Sequence, residues 1–182
     1  MKRLVFILVI CFLSCKNDTS GSDIVESDDK STLMDESIVD ISDVKVEVFD
    51  YDGLEPLINK NDEKIHVVNF WATWCAPCVK ELPYFENINE IYKENGVEVL
   101  LVSLDFPRNY DSKLKPFIKK HSLKSEVIAF DDIDQNRWIP AINKDWSGAL
   151  PATIIYNDEK RQFYERSFTQ EELEIELKQF LK

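Results

Sequence analysis

The sequence predicts an α/β fold, a central mixed sheet flanked by helices, on three observations. Apolar runs of strand length alternate with helical patterns across residues 44–144. Two further strand-like runs joined by a short polar turn, at residues 152–166, form a hairpin signature. A helix with a full start signal then follows. The chain has 182 residues, room for one sizeable domain plus extras, since single cores occupy roughly 100 to 200 residues. No internal repeat is evident.

Met1-Lys2-Arg3 precedes an unbroken apolar run from Leu4 to Leu13, the charged n-region and short h-region of an export signal. A membrane-spanning helix needs about 20 apolar residues, and this run is half that before Ser14-Cys15-Lys16 turns the chain polar. The placement of Cys15 after Phe12-Leu13-Ser14 resembles the lipobox of bacterial lipoproteins, although Phe12 stands where such boxes usually carry Leu. Residues 1–14 are therefore expected to be a lipoprotein signal peptide and Cys15 the lipidated residue, with ordinary cleavage further on as the alternative. Residues 15–43 are rich in Ser, Asp and Glu and hold no aromatic residue. They read as a flexible acidic tether, because such a segment buries too little apolar surface to offset its ordering entropy. The folded domain is expected over residues 44–182.

Within it, Val44, Val46 and Val48 alternate with charged residues at the period of a half-buried strand. A short helix is predicted over 54–59. Residues 65–71 form a continuous β-prone run of the kind found in a strand covered on both faces. After Pro77, the residues Val79, Leu82, Phe85, Ile88, Ile91 and Tyr92 recur at helical spacing, and Asn95-Gly96 supplies a stop. Pro83 lies inside this long helix and predicts a kink. A buried strand at 97–104, a basic helix at 113–121, a strand at 127–130 and a helical segment at 135–144 follow. Residues 152–156 and 162–166 read as strands joined by the turn at 157–160. Thr169 as N-cap, Glu172 three residues later and Phe168 packing on Leu173 start the final helix. Leu173, Leu177, Phe180 and Leu181 give it one apolar face.

The net charge of −12 argues against a nucleic-acid partner, which needs clustered Lys and Arg to displace counterions from phosphates. Of four cysteines, Cys11 would leave with the signal and Cys15 would carry lipid. Cys75 and Cys78 remain. No disulfide framework is left, and in an oxidising compartment this pair can cycle between dithiol and disulfide.

A reducing cysteine attacks as thiolate, yet an ordinary thiol has a pKa of about 8.5. Cys75 falls where the predicted central strand meets the long helix. The unpaired N–H groups and positive dipole end of that helix therefore favour its anion. Cys78, one helical turn later on the same face, can displace a mixed disulfide formed by Cys75. Cys75 is the candidate nucleophile and Cys78 the resolving thiol. Pro77 suits a first turn, whose N–H groups lack intrahelical partners. A zinc site fits poorly, since His66 and His121 form no second spaced pair with these sulfurs. A passive staple across so short a loop would stabilise little. Asp131-Asp132-Ile133-Asp134 lacks the Gly and terminal Glu of a calcium loop and reads as solvated.

The stretch Asn69-Phe70-Trp71-Ala72-Thr73-Trp74-Cys75-Ala76-Pro77-Cys78, with Glu81-Leu82-Pro83 after it, resembles the TlpA/ResA branch of the thioredoxin superfamily. The resemblance covers roughly residues 44–182 and implies a thioredoxin-like fold with an inserted helix-strand unit before a cis-proline loop. Gly148-Ala149-Leu150-Pro151-Ala152-Thr153 is similar to that loop. The resemblance thus implies a Leu150 backbone that pairs with an extended substrate segment and a cis Pro151 set against the sulfurs at the substrate site, where a residue without N–H excludes stray metal ligation. Pro140 is the competing proline, in surroundings that read as helical. Asn69 stands where thioredoxin carries a buried Asp, and the family likeness suggests Glu81 as the carboxyl that handles the proton of the resolving thiol, against the plainer reading of a solvated surface Glu. Trp74 is read as an exposed substrate-facing aromatic and Trp71 as core. Trp138 and Trp146 are read as core residues, with a partner groove as the alternative.

These readings combine into a lipid-anchored, periplasmic or otherwise extracytoplasmic protein-disulfide reductase. It is expected to need no cofactor or metal, to act on disulfides of exported proteins, and to be re-reduced by a membrane thiol-disulfide electron carrier. A dithiol oxidase or isomerase with the same site, a thiol peroxidase and a copper metallochaperone are the alternatives. The Pro-x-x-x-Thr-x-x-Cys pattern of such peroxidases is absent from the sequence.

Overall fold

The computed structural model describes residues 40–181. The expected signal segment, Cys15 and the tether up to residue 39 lie outside the described residues. One mixed sheet is built from β1 (Glu47–Phe49), β2 (Ile65–Trp71), β3 (Val97–Ser103), β4 (Glu126–Phe130), β5 (Ala152–Tyr156) and β6 (Arg161–Tyr164). The helices are α1 (Tyr51–Leu54), α2 (Ala76–Tyr92), α3 (Lys115–His121), α4 (Gln135–Ile142) and α5 (Gln170–Lys178). The strand order is β1-β4-β3-β2-β5-β6. The first four of these run parallel, and β5 and β6 are antiparallel additions.

Every residue of β2 is buried, because β3 and β5 flank the strand and helices cover both faces. Val67 and Trp71 enter the layer shared with Leu82 and Phe85 of α2 and with Leu173 of α5. Val68 and Phe70 enter the opposite layer with Leu54, Trp138 and Trp146. A strand covered on both faces has no position for solvent-facing polar residues, hence the continuous apolar run in its sequence. Trp138 and Trp146, exposed by only 3% and 5%, are core residues as expected.

The first strand departs from its predicted pattern. It starts at Glu47, and Val48 is 50% exposed, while Val44 and Val46 pack on the core from irregular chain. β1 is an edge strand with only three rungs to β4, too few to impose the alternation across the whole segment. α1 also begins earlier than predicted and ends at Leu54, the first residue of the predicted helix, because Asp50 caps it by accepting the Gly53 N–H at 3.0 Å. Leu54 and Ile58, two of the apolar residues of the predicted helix, are nonetheless fully buried, and Leu57 is half-buried.

α2 runs unbroken through Pro83, whose ring is exposed, and ends in a 3-10 turn closed by Gly96 at φ +79°. Ile91, expected on its apolar face, is left 54% exposed. The basic helix is shorter than a reading from residue 113 implies, because a 3-10 turn and a π turn precede α3. Pro116 explains the change, since it has no N–H to continue an α-helical ladder backwards. β4 inserts between β1 and β3, and α4 follows it, so a helix-strand unit lies ahead of the residue 148–153 loop as expected. α5 carries the full capping box between Thr169 and Glu172.

Candidate active site

Residues 72–75 leave the carboxyl end of β2 and enter α2 with Cys75 as N-cap. The Cys75 sulfur accepts the Cys78 N–H at 3.4 Å, the geometry expected of a capping group at a positive helix end. Cys75 and Cys78 are disulfide-bonded, with Cα atoms 5.3 Å apart. Their surroundings differ. Cys75 lies on the wall of an open cleft of about 610 Å³, together with Trp74, Leu104, Phe106, Ile139 and Leu150, whereas Cys78 is fully enclosed and does not reach it.

The Leu150–Pro151 peptide is cis, while Pro140 lies inside α4. Leu150 is half-buried at the cleft, and Pro151 is buried. The loop ahead of them is held by Glu165, which accepts the N–H groups of Ser147 at 3.1 Å and Ala149 at 3.2 Å as well as the Ser147 hydroxyl. Trp146 Nε1 donates to the Ala149 carbonyl at 2.9 Å. Gly148 takes φ +88°, a conformation that favours glycine.

Glu81 lies on the enclosed side of α2 and is 1% exposed. One carboxyl oxygen accepts the Phe168 N–H at 2.7 Å and the other accepts from Asn69 Nδ2 at 3.2 Å. Asn69 also donates to Thr153 Oγ1 at 3.1 Å. Burial pushes Glu81 up to about 7 from an ordinary value of 4.5, against the opposing pull of the Phe168 N–H, the Asn69 amide and the Arg166 charge. A smaller cavity of about 250 Å³, lined by Pro77, Lys80, Tyr84 and Glu172, reaches this carboxyl from the side of α5. The solvated-surface reading of Glu81 is therefore excluded by its burial. Among the described residues, no three His, Cys, Asp or Glu side chains are grouped to hold a metal ion.

A family model described as the AhpC/TSA family matches residues 42–161. The chain belongs to the AhpC/TSA family. It is similar to the thiol-disulfide oxidoreductase ResA of Geobacillus kaustophilus, at 33% identity over 112 residues that make up 60% of this chain and 59% of that protein. The chain spans about half the length of the curated relatives it matches. A thiol:disulfide interchange protein of the thioredoxin family from Chlorobium tepidum TLS superposes with a TM-score of 0.56 at 18% identity, covering 76% of this chain and 92% of that one. A thioredoxin-related protein from Neisseria meningitidis serogroup B gives 0.56 at 21% identity, over 66% and 87%. The solved structures establish the thioredoxin-like fold, and the likeness to ResA bears out the TlpA/ResA resemblance.

In this AhpC/TSA-family chain, the fold brings Trp74, Cys75 and Leu150 to one cleft, whereas Pro151, next in the chain, is buried and does not line it. It places Cys78 and Glu81 on the enclosed side of the same helix. Trp74 is 56% exposed and Trp71 fully buried, as expected. Sequence reasoning missed Phe106, which is 53% exposed and stacks on Trp74 with centroids 6.4 Å apart. It also missed the Phe168 N–H and Thr153, which complete the polar surroundings of Glu81 and Asn69. A signal for Phe106 existed, namely an aromatic residue directly after a buried strand and ahead of Pro107. The Phe168 N–H gave none, because a backbone donor has no sequence signature.

Proposed function

We propose that this protein is a dithiol-disulfide oxidoreductase that reduces disulfides in exported proteins through Cys75 and Cys78. One observation carries the reading: one sulfur of the pair lines an open cleft at a helix mouth, while its partner one turn on is fully buried on the side of the helix that also buries Glu81. In the reduced protein, the Cys75 thiolate attacks one sulfur of a substrate disulfide. A Cys75–substrate disulfide forms and the second substrate sulfur leaves as thiolate. The Glu81 carboxylate accepts the Cys78 proton, and the Cys78 thiolate attacks Cys75 Sγ. That step releases the other substrate sulfur and leaves the Cys75–Cys78 disulfide. Two electrons have passed to the substrate, and the protons gathered at the site pass to the departing thiolates or to solvent. An acid near 7 suits this work, because both of its forms are populated at neutral pH.

Leu150, held ahead of the cis Pro151, and exposed Trp74 form the walls against which a substrate segment lies. A membrane dithiol carrier would return the pair to its reduced state. The charged and apolar pattern of residues 1–13 and the placement of Cys15 support export and attachment to the extracytoplasmic face of a membrane through lipid on Cys15. The acidic segment 15–43 would then serve as the tether between the lipid surface and domain 44–182. Among the described residues, no helix is long and apolar enough to cross a membrane.

The test is a pair of variants in the full chain. Cys75→Ser is expected to abolish reduction of insulin disulfides, and Cys78→Ser to accumulate a mixed disulfide with its partner, whose identification names the substrate. Equal activity in the two variants would defeat the assigned roles. Cys15→Ser should move the protein from the membrane to the soluble fraction.

A further inference from the structure

The carboxyl ends of β2 and β3 are joined by three successive contacts that no step of the proposed exchange uses. The Leu104 N–H donates to the Trp71 carbonyl at 2.8 Å. Asp105 Oδ2 accepts the Thr73 N–H at 2.9 Å, and its Oδ1 accepts the Thr73 hydroxyl at 2.5 Å. The Phe106 ring stacks on Trp74 with planes 21° apart. Residues 104, 105 and 106 thus each grip one of residues 71, 73 and 74, and Cys75 comes next in the chain.

The middle contact is the unusual one. Asp105 is 1% exposed, and among the described residues it forms no ion pair with Lys, Arg or His. Its oxygens are met by Thr73 twice and by the Ser103 hydroxyl at 2.9 Å, while Ser103 Oγ accepts the Asp105 N–H at 3.1 Å. Burying a carboxyl is costly without such donors. Two of the three come from the residue two places before the attacking sulfur. Elsewhere in the chain between β2 and α2, Ala72 is buried in the core and Trp74 stacks on Phe106. Within it the Cys75 N–H reaches the Ala72 carbonyl at 3.1 Å, and Thr73 belongs to neither ladder nor helix.

We propose that Asp105 is a positioning residue for the disulfide exchange. It fastens Thr73 by backbone and side chain, so that the Cys75 sulfur stays at the mouth of α2 and Trp74, backed by Phe106, stays on the cleft wall. The proposal rests on the exchange reading above. Its physical basis is that a displacement of about 1 Å at a reacting atom costs on the order of 100-fold in rate, and a free turn of chain would allow such a displacement.

Full-chain Thr73→Val and Thr73→Ser separate this role from simple packing. Val keeps the shape and loses the hydroxyl, while Ser keeps the hydroxyl and loses the methyl group. In insulin reduction, Thr73→Val is expected to lower kcat/KM about tenfold, the size of a hydrogen bond to a carboxylate, and Thr73→Ser to recover most of that loss. Asp105→Asn should lose more, and adding Thr73→Val to it should cost little further, since the shared contact is already broken. The second readout is the pH midpoint of iodoacetamide alkylation of Cys75 in the reduced protein. It should move upward in Thr73→Val and in Asp105→Asn but not in Thr73→Ser, whereas a purely structural role would lower the melting temperature and leave the midpoint in place. Should Asp105→Asn not fold, the two Thr73 variants decide alone. Wild-type kinetics and a wild-type midpoint in Thr73→Val overturn the proposal. An unaltered wild-type chain that fails to reduce insulin would instead sink the exchange reading, and the alkylation midpoints would still judge Asp105.

Discussion

The two sides of the first turn of α2 hold sulfurs one turn apart in opposite surroundings. On the cleft side, Cys75 is flanked by exposed Trp74 and Phe106 and by the loop that ends at Pro151. On the enclosed side, Cys78 is fully buried and Glu81 is held by Asn69 and the Phe168 N–H. An open apolar wall admits a partner and offers the attacking sulfur only helix N–H groups, which favour its anion. The enclosed side holds Cys78 in the apolar core, away from any partner, and carries a buried carboxyl that can take up a proton. Under the proposed exchange the difference gives entry to one sulfur and completion to the other, although only two residues lie between them.

The contrast would break most visibly in alkylation of the reduced pair. At pH 7, Cys75 is expected to react with iodoacetamide about 1,000-fold faster than Cys78, because it is both the accessible and the helix-capping sulfur. Equal rates, read by peptide mass spectrometry, would erase the division.

Glu81→Gln probes the enclosed side. Turnover at pH 8 should fall about 100-fold, in the range of general acid-base contributions, and lose its inflection near neutrality. Stability should change in the other direction. Glu81 has an ordinary value of 4.5 and rises to about 7 in the folded protein, so folding favours its protonated form. The full stability is present below about pH 4.5, is lost as pH rises towards 7, and is level above that, a change of about 3 kcal/mol. In urea titrations of the oxidised protein, the Gln variant should show a flatter profile over this window and exceed wild type at pH 8. Gln can still accept the Phe168 N–H, and a flipped Asn69 amide can meet its new donor.

On the cleft side, Trp74→Ala should raise KM for a protein disulfide about tenfold, as for loss of an aromatic contact residue. It should change the reaction with a small aromatic disulfide far less. Asp50→Ala, at the cap of α1 away from both sides, sets the smallest effect: a loss of about 1 kcal/mol, a melting shift of about 2–4 °C, and unchanged turnover.

Much of this site was legible in the sequence because its chemistry is local. Cys75, Pro77 and Cys78 declare a helix start by residue type and spacing, and the unbroken apolar run of β2 declares a strand covered on both faces. Thr169, Glu172 and Leu173 likewise announced α5 through interactions that span only a few residues. Edges were harder to read: β1 began late and α1 early, because three ladder rungs and a single Asp50 cap outweighed the apolar periodicity.

The chain order by itself determined which two sulfurs pair and at which end of which helix they sit, since helix capping and one-turn spacing act within a few residues. Only the tertiary structure decided what surrounds each sulfur. Phe106 meets Trp74, Asp105 meets Thr73, and Phe168 meets Glu81 across separations of 32 to 87 residues. Such contacts arise when strands align in a sheet, and their hydrogen bonds and burial follow from that alignment rather than from any local pattern of residues.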